Sequence, residues 1–218
     1  MMRWTLVLLV LPAVVGCLDP GEPDYSSHVG VRTIEEEIEF LPGPNPFVDF
    51  VPRLEFSIFY EGDATDEITI NDIDTHYYIF DNTYRQETST ERVEGTLSDL
   101  LILNGGGYYG GGIIYDSPRN LSDWTTMHIS LRASDATFVD IPITVISGTS
   151  DVNTDHTVIA SNYGYANDGE WHSLVIPLSD FPGFDATSVI SPFVISAPGN
   201  NAGDQLWIDD LYYTQEAP

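Results

Sequence analysis

Lysine is absent from this chain. Lys and Arg together number 7, all of them arginines, against 34 Asp and Glu, and the formal net charge is -27. A surface this acidic repels phosphate backbones, which excludes nucleic acid as a partner, and it disfavours anionic lipid headgroups. Cysteine is nearly absent too: Cys17 stands alone, so no intramolecular disulfide can form. The five histidines (His28, His76, His128, His156 and His172) fall into no H-x-H or H-E-x-x-H pattern, so the sequence offers no zinc ligand set. No G-x-S-x-G elbow and no E-x-D-x-x-E acidic strand motif occurs. A catalytic centre needs convergent groups of this kind, and the chain is read as a non-enzyme.

Long apolar runs are also missing, apart from Trp4 to Val15, which Thr5 and Pro12 interrupt. A membrane-spanning helix needs about 20 apolar residues, so this run is too short to cross as one. After the single charge of Arg3 it has the form of a secretory signal peptide over residues 1–16. The run ends Val14-Val15-Gly16-Cys17. A lone cysteine after a small residue at this point resembles the bacterial lipobox, which implies cleavage before Cys17 and a lipid on its sulfur. Leu18 follows, and Asp19 comes one place later than the aspartate that marks inner-membrane retention in enterobacterial lipoproteins. The expectation is an envelope protein at the outer membrane or cell surface, anchored by acyl chains.

Residues 17–52 form the lipidated start and a tether. Pro20, Pro23, Pro42, Pro44, Pro46 and Pro52 remove amide donors and stiffen it. The acids Glu35, Glu36, Glu37 and Glu39 read as a solvated face.

From residue 53 to 218 the pattern changes to short strands. Leu54, Phe56, Ile58 and Tyr60 alternate with Glu55, Ser57, Phe59 and Glu61. Ile68 to Ile70, the aromatic run 75–84 and Leu97 to Leu103 follow. Met127, Ile129 and Leu131 share one face of another strand. Phe138 to Ile146 carries Pro142, which argues for an edge or a bulge. Ser147 to Asp155 reads as a polar loop. Gly169 to Phe181 runs as a strand into a tight turn, Val189 to Ser196 follows, and Leu206 to Tyr213 closes the fold beside an earlier strand. Strands at near-regular spacing with almost no helical signal predict an all-β antiparallel sandwich. At 42% hydrophobic, 218 residues suffice for one core and a tail.

LSDW before an alternating strand, then DGEWHSLVIPLSDF, then GDQLWIDDLYYT, resembles the galactose-binding-like β-jelly-roll modules. Among these are the non-catalytic carbohydrate-binding modules of bacterial glycosidases. The resemblance spans about residues 53–214 at the level of fold, which does not fix a ligand. It implies glycan binding without catalysis; a structural or protein-interaction module with no sugar ligand is the alternative. The resemblance also implies a structural Ca²⁺ at Asp209 and Asp210, with Glu61 or Asp81 as early partners. An acidic strand that guards against edge pairing explains the same residues equally well.

Sugar rings are bound by flat aromatic faces with planar polar groups around them. Six glycines flank Tyr108 and Tyr109 in NGGGYYGGG, and a loop rich in Gly and Asn carries Tyr163 and Tyr165. These four tyrosines and Asn162 are the expected carbohydrate contacts, with Asn104 and Asn167 as further donors. Tyr115 and Trp207 are weaker candidates. Trp124 and Trp171 are assigned to packing.

Overall fold

The computed structural model describes residues 52–56, 59, 66–68 and 73–215. The signal segment, Cys17, the tether and Glu61 lie outside these residues. The compact unit that contains them runs from Asp49 to Pro218.

The strands are β1 (Arg53–Phe56), β2 (Asp66–Ile68), β3 (Thr75–Ile79), β4 (Tyr84–Ser89), β5 (Ser98–Leu103), β6 (Gly106–Tyr115), β7 (Thr126–Arg132), β8 (Pro142–Gly148), β9 (Asn153–Ile159), β10 (His172–Pro177), β11 (Val189–Asn200) and β12 (Gln205–Thr214). They form the expected jelly-roll sandwich of two sheets. Among the described residues, one sheet has seven strands, with β10-β7-β12-β1-β2 as its main path and β5 and β4 branching from β12. The other has five strands, in the order β3-β6-β11-β8-β9. Pairings are antiparallel except β1 with β2.

Period-two alternation explains the core. Leu206, Ile208, Leu211 and Tyr213 on β12 are buried to 0%, and Met127, Ile129 and Leu131 on β7 meet them in the same layer. Tyr109, Ile113 and Tyr115 on β6, with Phe193 and Ile195 on β11, supply the opposing layer. Within the seven-stranded sheet Phe56 meets Tyr213 edge-on at 5.4 Å, and Phe59 reaches Phe193 of the other sheet at 5.7 Å. Each large apolar side chain buried here contributes roughly 1.5–3 kcal/mol. Buried hydroxyls need partners, and two of them tie the layers together: Tyr213 donates to the Pro192 carbonyl at 2.5 Å, and the Tyr77 and Tyr84 hydroxyls meet at 2.6 Å.

The structure departs from the sequence pattern in three places. Residues 75–84 are not one strand. A 3-10 turn at Phe80–Asn82 breaks them, with Asp81 at φ 46 and Asn82 at φ 54. Asp and Asn tolerate this left-handed region better than most residues. The chain thereby passes from β3 in one sheet to β4 in the other, carrying Tyr77 and Tyr84 to opposite sides of the core. Pro142 stands at the head of β8, an interior strand between β11 and β9, rather than on an edge. A first position asks for no ladder hydrogen bond, which accommodates proline. Most of the polar stretch 147–155 belongs to the ends of β8 and β9, with a short turn between them.

Candidate functional site

The site begins with the glycines of β6. Tyr109, Gly111, Ile113 and Tyr115 face inward, so Tyr108, Gly110, Gly112 and Ile114 face out. Gly110 and Gly112 leave the middle of this outer face without side chains. A Cβ on Gly110 would stand 2.8 Å from Phe80 Cδ2, and one on Gly112 would stand 2.7 Å from Val194 Cγ2. The neighbours therefore lie low across the strand. Gly112 pairs with Tyr78 on β3, whose ring is 48% exposed, and Tyr108 is 37% exposed.

The exposed rings are fixed by their surroundings. The Tyr108 hydroxyl donates to Asp81 Oδ2 at 2.5 Å, and this bond, ahead of burial, holds the phenol above its ordinary pKa. The strained turn at Asp81 is thus what aims the Tyr108 ring. Asn200, buried to 6%, fixes the strand beneath: its Nδ2 donates to the Tyr108 and Thr83 carbonyls at 2.8 and 2.9 Å, and its Oδ1 accepts from the Gly105 amide at 2.8 Å. Beside Tyr78, His76 pairs with Asp116 at 3.2 Å.

Further along the same face lies a cleft of about 320 Å³. Ile114 and Ile146 give it apolar walls, and Asp116, Ser150 and Asn153 add polar groups. His76 pairs with Ile114, six residues along β6 from Tyr108, so the face between Tyr108 and His76 spans about 20 Å at the rise of a β-strand.

The expected tyrosines do not converge on one face. Tyr109 points into the core, is 0% exposed and meets Phe138 edge-on at 5.2 Å. Adjacent strand residues face opposite ways, so Tyr108 and Tyr109 cannot serve one surface. Tyr165 is 4% exposed and donates to the Phe138 carbonyl at 2.7 Å. Neither has a ring face left for a ligand. Tyr163 is half-buried, donates to Asp180 Oδ2 at 3.0 Å, and lies in the 3-10 turn Ala160–Tyr163 with the exposed Asn162. That turn follows β9, away from Tyr108. Of the five expected contacts, only Tyr108 stands on the aromatic face. Tyr115 is core, and Trp124 is 9% exposed as a packing residue should be. Tyr78 escaped the sequence reading because nothing in the run THYYIF says which parity faces out.

The outer face of the seven-stranded sheet also carries rings, but they are engaged. Tyr212 stacks on His128 at 4.5 Å with planes 5° apart, and the Arg53 guanidinium lies 5.0 Å from its ring. Burial, and then the charge of Arg53, lowers the His128 pKa and favours the neutral imidazole. Trp207 lies under Arg132 at 5.2 Å and donates Nε1–H to Ser89 Oγ at 3.2 Å.

The acidic pair has a structural use. Asp209 is 1% exposed, and its Oδ2 accepts from the Val93 and Glu94 amides at 2.7 and 3.2 Å. Its Oδ1 accepts from the Asp210 amide at 2.9 Å. Asp210 sits at φ 61 where the β12–β7 register shifts, with Ser130 Oγ at 3.4 Å. Asp81 is spent on Tyr108. Among the described residues no three His, Cys, Asp or Glu gather where they could hold a metal ion. Asp209, Asp210 and Asp81 are thus engaged in these hydrogen bonds, and Glu61, the fourth residue of the implied Ca²⁺ set, lies outside the described residues.

No family model and no curated protein matches this chain. Solved structures do resemble it. The family 11 carbohydrate-binding module of the cellulosomal cellulase Lic26A-Cel5E of Clostridium thermocellum is 13% identical, covers 66% of this chain and 89% of its own, and superposes with a TM-score of 0.48. The family 30 module of the cellulosomal cellulase Cel9D-Cel44B of Clostridium thermocellum is 18% identical, covers 74% and 93%, and gives a TM-score of 0.49. Another family 30 module is 20% identical over 65% of this chain and 78% of its own, with a TM-score of 0.49. Likenesses at these levels leave the ligand to be argued from this chain's own residues.

Proposed function

We propose that this domain binds a glycan chain, without cleaving it, along the outer face of the five-stranded sheet. The observation that carries this reading is the pair of exposed rings, Tyr78 on β3 and Tyr108 on β6, on one outer face. Flat carbon-rich rings suit the C–H faces of sugars, and the polar groups of the neighbouring cleft suit hydroxyls. The elongated path suits a polymer better than a compact ligand.

Affinity electrophoresis through gels cast with different soluble polysaccharides tests the proposal. Retardation by at least one polysaccharide, lost in a Tyr78→Ala/Tyr108→Ala double variant, is the expected result. Equal retardation of the double variant would remove this face from consideration. Binding to a purified envelope protein with no retardation in any gel would favour the interaction-module reading.

The chain is further proposed to be exported and held at the outer membrane or cell surface by acyl chains on Cys17. Support comes from the apolar run that ends in Gly16-Cys17 and from Asp19 standing one place late. Cells fed labelled palmitate should incorporate it into the wild type and not into Cys17→Ala.

A further inference from the structure

We propose that the cleft at the end of the five-stranded sheet is a docking site for a lysine side chain of a partner protein. Its lining combines three isoleucines with a carboxylate. Ile114 on β6, Ile146 on β8 and Ile190 on β11 supply apolar walls. Asp116, Ser150 and Asn153 supply polar groups, and all three residues are exposed. At about 320 Å³ the cleft is at the small end of binding cavities, a size for one extended side chain. Backbone hydrogen bonds fix it in advance, which lowers the ordering cost of binding. The Asp116 amide donates to the Asp74 carbonyl at 3.0 Å, and the Gly148 amide ties the β8–β9 hairpin to the Ser188 carbonyl at 2.8 Å. The hairpin tip is closed by the Thr149 amide on the Val152 carbonyl at 2.8 Å.

The lining selects a cation on an aliphatic stem. Asp116 is the only carboxylate among the described lining residues, and no arginine or histidine is among them. An anion would meet that carboxylate in a chain whose net charge is -27. A wholly apolar group would strip water from it, which costs free energy. Lysine answers both parts: its methylenes lie along the isoleucines while the ammonium stays at the wet mouth. The three N–H donors of that ammonium find a carboxylate, a hydroxyl and an amide oxygen in the lining. Arginine fits less well. Its planar fork favours a carboxylate with both oxygens open, and Asp116 Oδ1 already meets His76 Nε2 at 3.2 Å.

The occupant belongs to another protein. This chain has no lysine, so a second copy cannot supply one. A free alkylamine would leave the surroundings of the cleft bare. Val152, beside Asn153 at the hairpin tip, is 76% exposed, and Ile73, beside Asp74, is 89% exposed. Exposed apolar side chains gathered about a cleft mark protein contact, and a polypeptide covers them while its lysine enters. This inference does not rest on the glycan reading of Tyr78 and Tyr108.

Fluorescence anisotropy on the full chain in mild detergent tests it. The probes are labelled pentapeptides with one lysine flanked on both sides by valine, isoleucine, leucine or phenylalanine. At least one should bind saturably, and its analogue with norleucine in place of lysine, which keeps the methylenes and loses the charge, should bind at least tenfold more weakly. Asp116→Asn, an exposed change safe for folding, should weaken binding about tenfold by removing a charge-assisted hydrogen bond. Glu170→Gln removes the same charge just before β10 in the other sheet, and should leave binding within about twofold. No saturable binding by any probe overturns the site, as does equal binding of the norleucine analogue. Equal losses in Asp116→Asn and Glu170→Gln would reduce the attraction to net charge and overturn it too. Tyr78→Ala/Tyr108→Ala should bind the peptide as the wild type does, and loss there would move the contact to the aromatic rings. Pentylammonium serves as competitor. Displacement only at about a hundredfold higher concentration than unlabelled peptide supports a polypeptide partner, and displacement at equal concentration assigns the cleft to a free amine and overturns the proposal.

Discussion

The two outer faces of this sandwich hold similar numbers of rings and use them in opposite ways. On the seven-stranded sheet every outward ring named above is already in contact: Tyr212 with His128 and Arg53, Trp207 with Arg132 and Ser89. On the five-stranded sheet Tyr78, opposite Gly112, and Tyr108 are 48% and 37% exposed; His76 approaches the edge of one and Asp81 takes the hydroxyl of the other, and among the described residues no guanidinium lies over either ring. Counting aromatics does not locate a ligand. What separates the faces is whether a strand neighbour has the bulk and charge to occupy the ring first. Glycine does not, and arginine does.

The largest effect comes from beneath the five-stranded sheet, where Gly111 faces the core and supports the outer face. A Cβ on Gly111 would collide with the Tyr84 hydroxyl and stand 2.8 Å from the Tyr78 carbonyl. Gly111→Ala should destabilise the domain by about 3 kcal/mol. In a thermal melt followed by circular dichroism that is a drop in Tm of roughly 6–12 °C for a domain of this size.

The next effect is on binding. Removing both Tyr78 and Tyr108 should weaken retention by a polysaccharide gel about a hundredfold, about tenfold for each ring. Trp207→Ala on the other face should leave retention within about twofold while lowering stability by about 1–2 kcal/mol. If Trp207→Ala abolishes retention instead, the assignment of the faces is reversed.

Asn200→Ala probes how Tyr108 is held. It removes the Tyr108 carbonyl's and the Gly105 amide's side-chain partner in a buried spot and leaves the Thr83 carbonyl only the Asn104 amide, and should cost about 2 kcal/mol together with part of the retention. A variant that loses stability and keeps full retention would show that Tyr108 needs no such support.

The smallest effect belongs to Asp210. Burial, and then Asp209, raises its pKa above the ordinary 3.8. With the folded pKa above the unfolded one, its favourable contribution is complete below the unfolded value and is lost as pH rises through the folded value. At pH 7 the ionised carboxylate therefore opposes folding. Asp210→Asn, which tolerates the same φ of 61, should raise Tm at pH 7, and the gain should vanish below about pH 4. An equal gain at pH 3 would point to backbone rather than charge.

The sandwich and most of its strands were legible because alternation reports burial directly. Met127, Ile129 and Leu131, or Leu206 and Ile208, are core by pattern and core in the structure. The break between Tyr77 and Tyr84 was not legible, because a two-residue excursion into left-handed backbone leaves no periodic trace. Half of the aromatic site was within reach: two adjacent strand tyrosines must diverge, so Tyr108 and Tyr109 could never both present a ring. Which of them faces out depends on strand register, and register is set by partners far away in the chain.

The closing strand has a consequence for how the chain becomes a folded protein. β12 comes last in sequence, yet it lies in the interior of the seven-stranded sheet, between β7 on one side and β1 and β5 on the other. Until those final residues have been synthesised, the sheet lacks the strand that joins its parts, and Asp209 cannot yet gather the Val93 and Glu94 amides. Assembly must wait for pairings between distant ends of the chain, the slow kind of β-sheet formation.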